Sequence, residues 1–122
     1  MALLVSILIP VYNNRRYVGA AIDSALAQTY EPLEVVVIDD GSSDGSLEVA
    51  QSYAQRDPRV RVIAHSRNQG LPATRNEAVE RARGEIIANL DSDDTAMPNR
   101  VVRQLAYLQT HPDCIVLGGQ AL

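Results

Sequence analysis

Four short apolar runs alternate along this chain with segments whose apolar residues recur at helical spacing. That alternation constrains the fold more than any other feature. The runs are Leu3 to Ile9, broken only by Ser6, then Leu33 to Ile38, Val60 to Ala64, and Ile86 to Leu90. A strand with one wet face alternates apolar and polar residues, whereas a strand covered on both faces has no need to. Between the runs, Val18, Ala21, Ile22, Ala25 and Leu26 form one helical stripe, with Asn13 or Asn14 available to cap it. Leu47, Ala50, Tyr53 and Ala54 form a second stripe, and Ala78, Val79 and Ala82 a third that runs to Gly84 as its stop. Pro98 suits the first turn of a fourth helix carrying Val101, Val102, Leu105 and Leu108, and Cys114 to Leu117 starts a fifth strand. Pro10 is expected to end the first strand. The pattern predicts an α/β fold, a mostly parallel sheet with helices on both faces, and one domain over residues 1–122.

Composition removes several function classes. The formal charge is −4 and every cation is Arg, so there is no basic stripe for nucleic acid and no lysine for a Walker-type phosphate loop. Gly-x-Gly-x-x-Gly does not follow the first strand, which disfavours a dinucleotide fold, and no Gly-x-Ser-x-Gly elbow is present. No Cys/His cluster suggests zinc, and the isolated His65 and His111 are both expected at the surface. Cys114 has no partner for an internal disulfide and predicts a reducing, cytoplasmic setting. The opening Met1 to Ile9 lacks the basic flank of a signal peptide and is too short to span a bilayer.

In parallel sheets ligands collect at the carboxyl ends of the strands, and three of these ends carry chemistry. The first is Pro10-Val11-Tyr12-Asn13, where Tyr12 either stacks on a flat ring or tucks under a loop. The second is Asp39-Asp40-Gly41-Ser42, two acids that accept N–H groups from a base or from their own turn. The third is Asp91-Ser92-Asp93-Asp94, three carboxylates in four residues, which either splay into solvent, cap the next helix or hold a cation. Strand alternation would aim Asp91 and Asp93 to one side, where a hard divalent ion takes one or two carboxylates plus substrate phosphates. Arg75, near the start of the third helix, either meets a phosphate or stays solvated.

Four segments in order carry a further signal: Val5-Ser6-Ile7-Leu8-Ile9-Pro10-Val11-Tyr12-Asn13, Val37-Ile38-Asp39-Asp40-Gly41-Ser42-Ser43-Asp44, Asn68-x-Gly70-x-x-x-Thr74-Arg75-Asn76, and Leu90-Asp91-Ser92-Asp93-Asp94-x-x-x-Pro98. Together they resemble the amino-terminal half of family 2 glycosyltransferases. The resemblance implies a GT-A fold and transfer of a sugar from a nucleotide-diphosphate donor, with inversion at the anomeric carbon and help from Mn2+ or Mg2+. It places Pro10 and Tyr12 at the base, Asp40 or Asp39 on the base N–H, and Gly70 and Arg75 at the border of the nucleotide. Asp91 falls near the ribose or a metal-bound water, and Asp93 on the metal itself. The acceptor (a saccharide, a lipid-linked group or a protein) stays open. The family's catalytic base belongs to its second half, so no catalytic residue is assigned here and the chain is expected to be a donor-binding half. A noncatalytic nucleotide- or metal-binding module is the alternative. Exposed apolar surface near the fifth strand predicts self-association, and the full-length protein is expected in the cytoplasm or at the inner face of a membrane.

Overall fold

The computed structural model describes residues 3–110. Four strands and four helices alternate: β1 (Val5–Val11), α1 (Arg15–Leu26), β2 (Leu33–Asp39), α2 (Ser46–Arg56), β3 (Val60–Ala64), α3 (Leu71–Arg81), β4 (Ile86–Asn89) and α4 (Arg100–Thr110). The strands form one parallel sheet in the order β3-β2-β1-β4. The chain therefore winds outward from β1 to β3, then crosses back to β4 on the other side of β1. That reversal opens a crevice beyond the carboxyl ends of β1 and β4. The expected fifth strand, Cys114 to Leu117, lies outside the described residues, as do His111 and Cys114.

The unbroken apolar runs are explained by two cores. Val5, Ile7, Ile9 and Val11 of β1 and Val35 and Val37 of β2 pack with Val18, Ala21, Ile22 and Ala25 of α1, Ala50 of α2 and Val101 of α4. Leu8, Val36 and Ile38 point to the opposite face and pack with Ala78 of α3. Successive residues thus feed alternate cores, and both parities must be apolar.

Local details depart from the sequence expectations for identifiable reasons. Pro10 does not end β1, which continues to Val11 in register with β2. Leu4 and Leu8 offer their carbonyls to β4, whereas Val11 bonds toward β2. Alternation therefore turns Pro10's missing N–H toward the β4 side, and β4 has already stopped at Asn89, opposite Leu8. In α3 the inward row is Thr74, Ala78 and Ala82 at four-residue spacing, and Val79 sits one step off it, 50% exposed. Val102 of α4 is exposed for the same reason. Gly84 is not the stop of α3, which ends at Arg81 with Ala82 as its extended cap. A side chain at Gly84 would sit 2.6 Å from Ser6 Oγ and 2.7 Å from the Leu4 carbonyl, so glycine lets two backbones touch. Pro98 precedes α4 instead of entering it, and the helix start is held by Gln28, whose Oε1 accepts from the Val101 amide at 3.0 Å.

A candidate nucleotide cleft at the carboxyl ends of the strands

The three marked strand ends converge. Pro10, Tyr12, Asn14, Asp40, Asn68, Gly70, Leu71, Thr74, Arg75, Asp91, Ser92 and Asp93 line an open cleft of about 580 Å³. That volume suits a nucleotide-sized ligand. Tyr12 follows β1 directly with 52% of its surface exposed, an unengaged ring at the cleft wall.

The loop that carries Tyr12 is fastened by its neighbours. Asn13 adopts a left-handed backbone, φ 49°, and its Oδ1 accepts from the Ser43 amide at 2.8 Å. Asn14 precedes α1, but its side chain does not cap the helix; Nδ2 donates to Ser92 Oγ at 2.7 Å. Instead Asp44, from the β2–α2 loop, accepts from the Arg15 amide at 3.1 Å and from the Ser46 amide at 3.0 Å, serving the starts of two helices. The β1, β2 and β4 ends are thereby tied together before any ligand arrives.

The two acids after β2 have separate fates. Asp39 is not brought to the cleft: it is 1% exposed, and its Oδ2 accepts from the Ser42 amide at 2.9 Å to close the turn. Its other oxygen is buried with no partner among the described residues. Asp40 does line the cleft, yet its own surroundings already fill its oxygens. Oδ1 accepts from the Gln69 amide at 2.8 Å and lies 2.8 Å from His65 Nδ1. Oδ2 accepts from the Gly70 amide at 2.9 Å and from Asn68 Nδ2 at 3.0 Å. Burial pushes the Asp40 carboxyl up, but the bonds from His65, Gln69 and Gly70 outweigh it and hold the carboxyl below its usual value.

His65 corrects a sequence expectation. It is no surface histidine; its side chain is 6% exposed, and its Nε2 lies 2.5 Å from Glu77 Oε1 on α3. The bonds to Asp40 and then Glu77 raise its pKa against the opposing effect of burial. The partners sit 25 and 12 residues away in sequence, so no local pattern announced them.

After β4 the chain turns at once, with the Asp94 amide bonded to the Asp91 carbonyl at 3.0 Å. The strand ends at Asn89, so alternation does not set the directions of Asp91 and Asp93; the turn does. Both still border the cleft, and the buried Ser92 between them anchors the turn to Asn14. Asp91 pairs with Arg75 at 3.3 Å across the cleft mouth, both side chains about half exposed. Asp93 has no hydrogen-bond or ion-pair partner among the described residues. Behind the turn, Arg100 is 9% exposed and donates through Nη2 to the Asn89 carbonyl at 2.6 Å. Burial lowers its pKa, and Asp94 and Asp91 act in the other direction. This guanidinium lies close enough to feel the charges of Asp94 and Asp91 without bonding either, and the amphipathic stripe of α4 gave no hint of it.

Residues 6–121 match the profile of Glycosyl transferase family 2. The chain belongs to that family. An uncharacterized glycosyltransferase of Haemophilus influenzae is 41% identical over 109 residues, covering 88% of this chain and 44% of that protein. The crystal structure of TarS from S. aureus in complex with UDP superimposes with a TM-score of 0.78 at 30% identity, over 88% of this chain and 32% of that one. The mannosyltransferase PcManGT from Pyrobaculum calidifontis, in complex with GDP-Man and Mn2+, gives a TM-score of 0.79 at 26% identity, over 85% and 32% of the two chains. The fold is GT-A, and the chain spans less than half the length of these relatives. Among the described residues no helix is long and apolar enough to cross a membrane.

Proposed function

We propose that residues 3–110 form the donor-binding portion of a glycosyltransferase, seating a nucleotide-diphosphate sugar in the cleft beyond β1, β2 and β4. One observation carries the reading: an exposed aromatic ring, a guanidinium and three carboxylates converge on one cleft from the ends of β1, β2 and β4 and from α3. TarS and PcManGT, which bind UDP and GDP-Man, share the fold over more than four fifths of this chain.

In this reading the Tyr12 ring stacks on the base. A base N–H reaches Asp40 by displacing Asn68 Nδ2, the longest of its four bonds and the one made by an exposed side chain. Arg75 swings from Asp91 to a phosphate, an exchange that costs little because an exposed ion pair is worth roughly 0–1 kcal/mol.

Two hard oxygen donors facing a cleft fit Mn2+ or Mg2+, which take one or two carboxylates and complete their shell with phosphates and water. Among the described residues no group of three or more acids or histidines is gathered tightly enough to hold an ion alone, so the donor must share the work. Asp93, without an internal partner, is the direct ligand, and Asp91 joins it once Arg75 turns away. Such an ion supplies Lewis-acid neutralisation of the departing diphosphate. Transfer proceeds with inversion, as the family resemblance implies.

The test is calorimetry with UDP and GDP, each with Mn2+ and with chelator. Mn2+ should strengthen binding, and Asp93→Asn should abolish the increment while leaving the metal-free affinity unchanged. Equal affinity with and without metal, or an unaltered Asp93→Asn variant, would overturn the metal assignment. Absence of binding by both nucleotides would overturn the donor cleft.

A further inference from the structure

The donor-cleft reading leaves His65 unused, although its side chain is only 6% exposed. Its ring sits between two carboxylates, Nδ1 2.8 Å from Asp40 and Nε2 2.5 Å from Glu77. A neutral imidazole has one N–H and can donate to only one of them, whereas an imidazolium donates to both. Asp40 cannot take the proton in its place. Its two oxygens already accept from the Gln69 and Gly70 amides and from Asn68, an arrangement that needs the carboxylate. Glu77 also faces Arg81 at 3.6 Å, which favours its ionised form. The charged groups facing the ring are therefore Asp40 from the end of β2 and Glu77 from α3, with Arg81 behind Glu77.

We propose that His65 is a positioning residue for donor binding: as an imidazolium it clamps Asp40 between β3 and α3, so that Asp40 holds the Asn68–Gly70 segment as a wall of the cleft. The inference rests on the donor-cleft reading for its functional consequence, but its structural part stands without a ligand. His65 directly follows β3, and its amide donates to the Asp39 carbonyl at 2.8 Å, so the backbone is fixed and the side chain alone is at stake. Gly41 shows how closely this wall is built. A side chain there would lie 2.6 Å from both the Arg67 carbonyl carbon and the Asn68 nitrogen. Loosening Asp40 releases the segment that Gly41 is shaped to accept. Asn68 and Gly70 line the cleft directly, so nucleotide affinity follows.

The experiment uses the 122-residue chain in two arms. The first, without ligand, reads amide hydrogen exchange at Gln69 and Gly70. His65→Gln should exchange about tenfold faster there, a change equivalent to about 1.4 kcal/mol of lost interaction. The Val36 amide in the sheet should be unaffected. The second arm measures UDP affinity at constant Mg2+ from pH 6.5 to 9. Wild type should bind about tenfold tighter than His65→Gln at the acid end, again about 1.4 kcal/mol, and the two should draw together toward the alkaline end as the imidazolium is lost. Should His65→Gln fold poorly, Glu77→Gln keeps the ring and its Asp40 bond, and NMR should then show His65 titrating at lower pH than in wild type. Unchanged exchange at Gln69 and Gly70, a constant affinity ratio across pH, or an unmoved His65 titration would each overturn the proposal. Failure of UDP and GDP to bind would sink the donor cleft instead, and the exchange and NMR arms would still decide the role of His65.

Discussion

Glu34 and Asp40 lie near opposite ends of β2, and each is an enclosed carboxylate surrounded by donors. Glu34 takes the Ser6 hydroxyl at 2.5 Å, the Arg83 amide at 2.7 Å and Arg61 Nε at 3.1 Å. Asp40 takes His65, Asn68 and the Gln69 and Gly70 amides. Burial pushes both carboxyls up, and in both the hydrogen bonds win and hold the pKa below its usual value. The difference lies in what the donors are attached to. Glu34 binds a neighbouring strand and the tail of α3, where Gly84 packs against β1, and its counter-charge is an arginine that never titrates. Asp40 binds a loop that lines a cleft, and its counter-charge is a histidine. One end of the sheet is locked by permanent charge, while the other is held by a histidine, a group that can lose its charge as pH rises.

The largest expected effect belongs to the locked end. Glu34→Gln removes a charge whose side chain is only 10% exposed and, because Arg61 and the Arg83 amide bind different carboxylate oxygens, leaves one of them without its acceptor. Breaking such a pair costs about 3 kcal/mol. Urea unfolding should show that loss, while the UDP affinity of the folded variant should match wild type. A loss well under this, or a fall in UDP affinity, would mean that the two ends are not separate devices.

Tyr12→Ala is the mirror case, smaller and confined to the cleft. The ring is half exposed and belongs to neither core, so its removal should leave the urea midpoint unchanged. A lost stacking contact is worth roughly 1–3 kcal/mol, or about five- to 150-fold in nucleotide affinity by calorimetry. Unchanged affinity would return Tyr12 to the role of a loop residue and remove the base end of the donor site.

The contrast also explains which parts of the molecule the sequence made legible. The sheet was readable because burial on two faces demands apolar residues at both parities, and Val35, Val36, Val37 and Ile38 meet that demand. Tyr12, Gly70, Arg75, Asp91 and Asp93 were readable as cleft residues because they follow strand ends or open a helix, and topology alone gathers such positions. Asp39 misled because adjacent acids look alike in a sequence, although a strand sends successive side chains in opposite directions. Ser6 looked like a blemish in an apolar run, yet it faces Glu34 directly in register. His65, Glu77 and Arg100 could not be read. Each acts through partners brought close only by the fold, and a lone polar residue has no periodicity to betray it.

The smallest expected effect is a difference in pH response. Glu34, Asp40 and Glu77 all have lowered pKa values, so their contribution to stability is complete above the usual carboxylate range and is lost as pH falls through their folded values. His65 runs the other way: its folded pKa lies above 6.5, so its contribution is complete below 6.5 and is lost as pH rises through the folded value. Among the described groups with shifted values, only His65 carries a raised value that starts from 6.5, so its contribution is lost at higher pH than that of the carboxylates. Urea midpoints measured from pH 4 to 9 should therefore show an acid decline and a separate, shallower neutral one. Glu34→Gln should flatten part of the acid decline and leave the neutral one untouched. His65→Gln should erase the neutral decline and also soften the acid one, because Asp40 and Glu77 lose their shared donor. A neutral decline that survives His65→Gln would show that the switchable charge sits elsewhere, and that the two ends of β2 differ in position but not in kind.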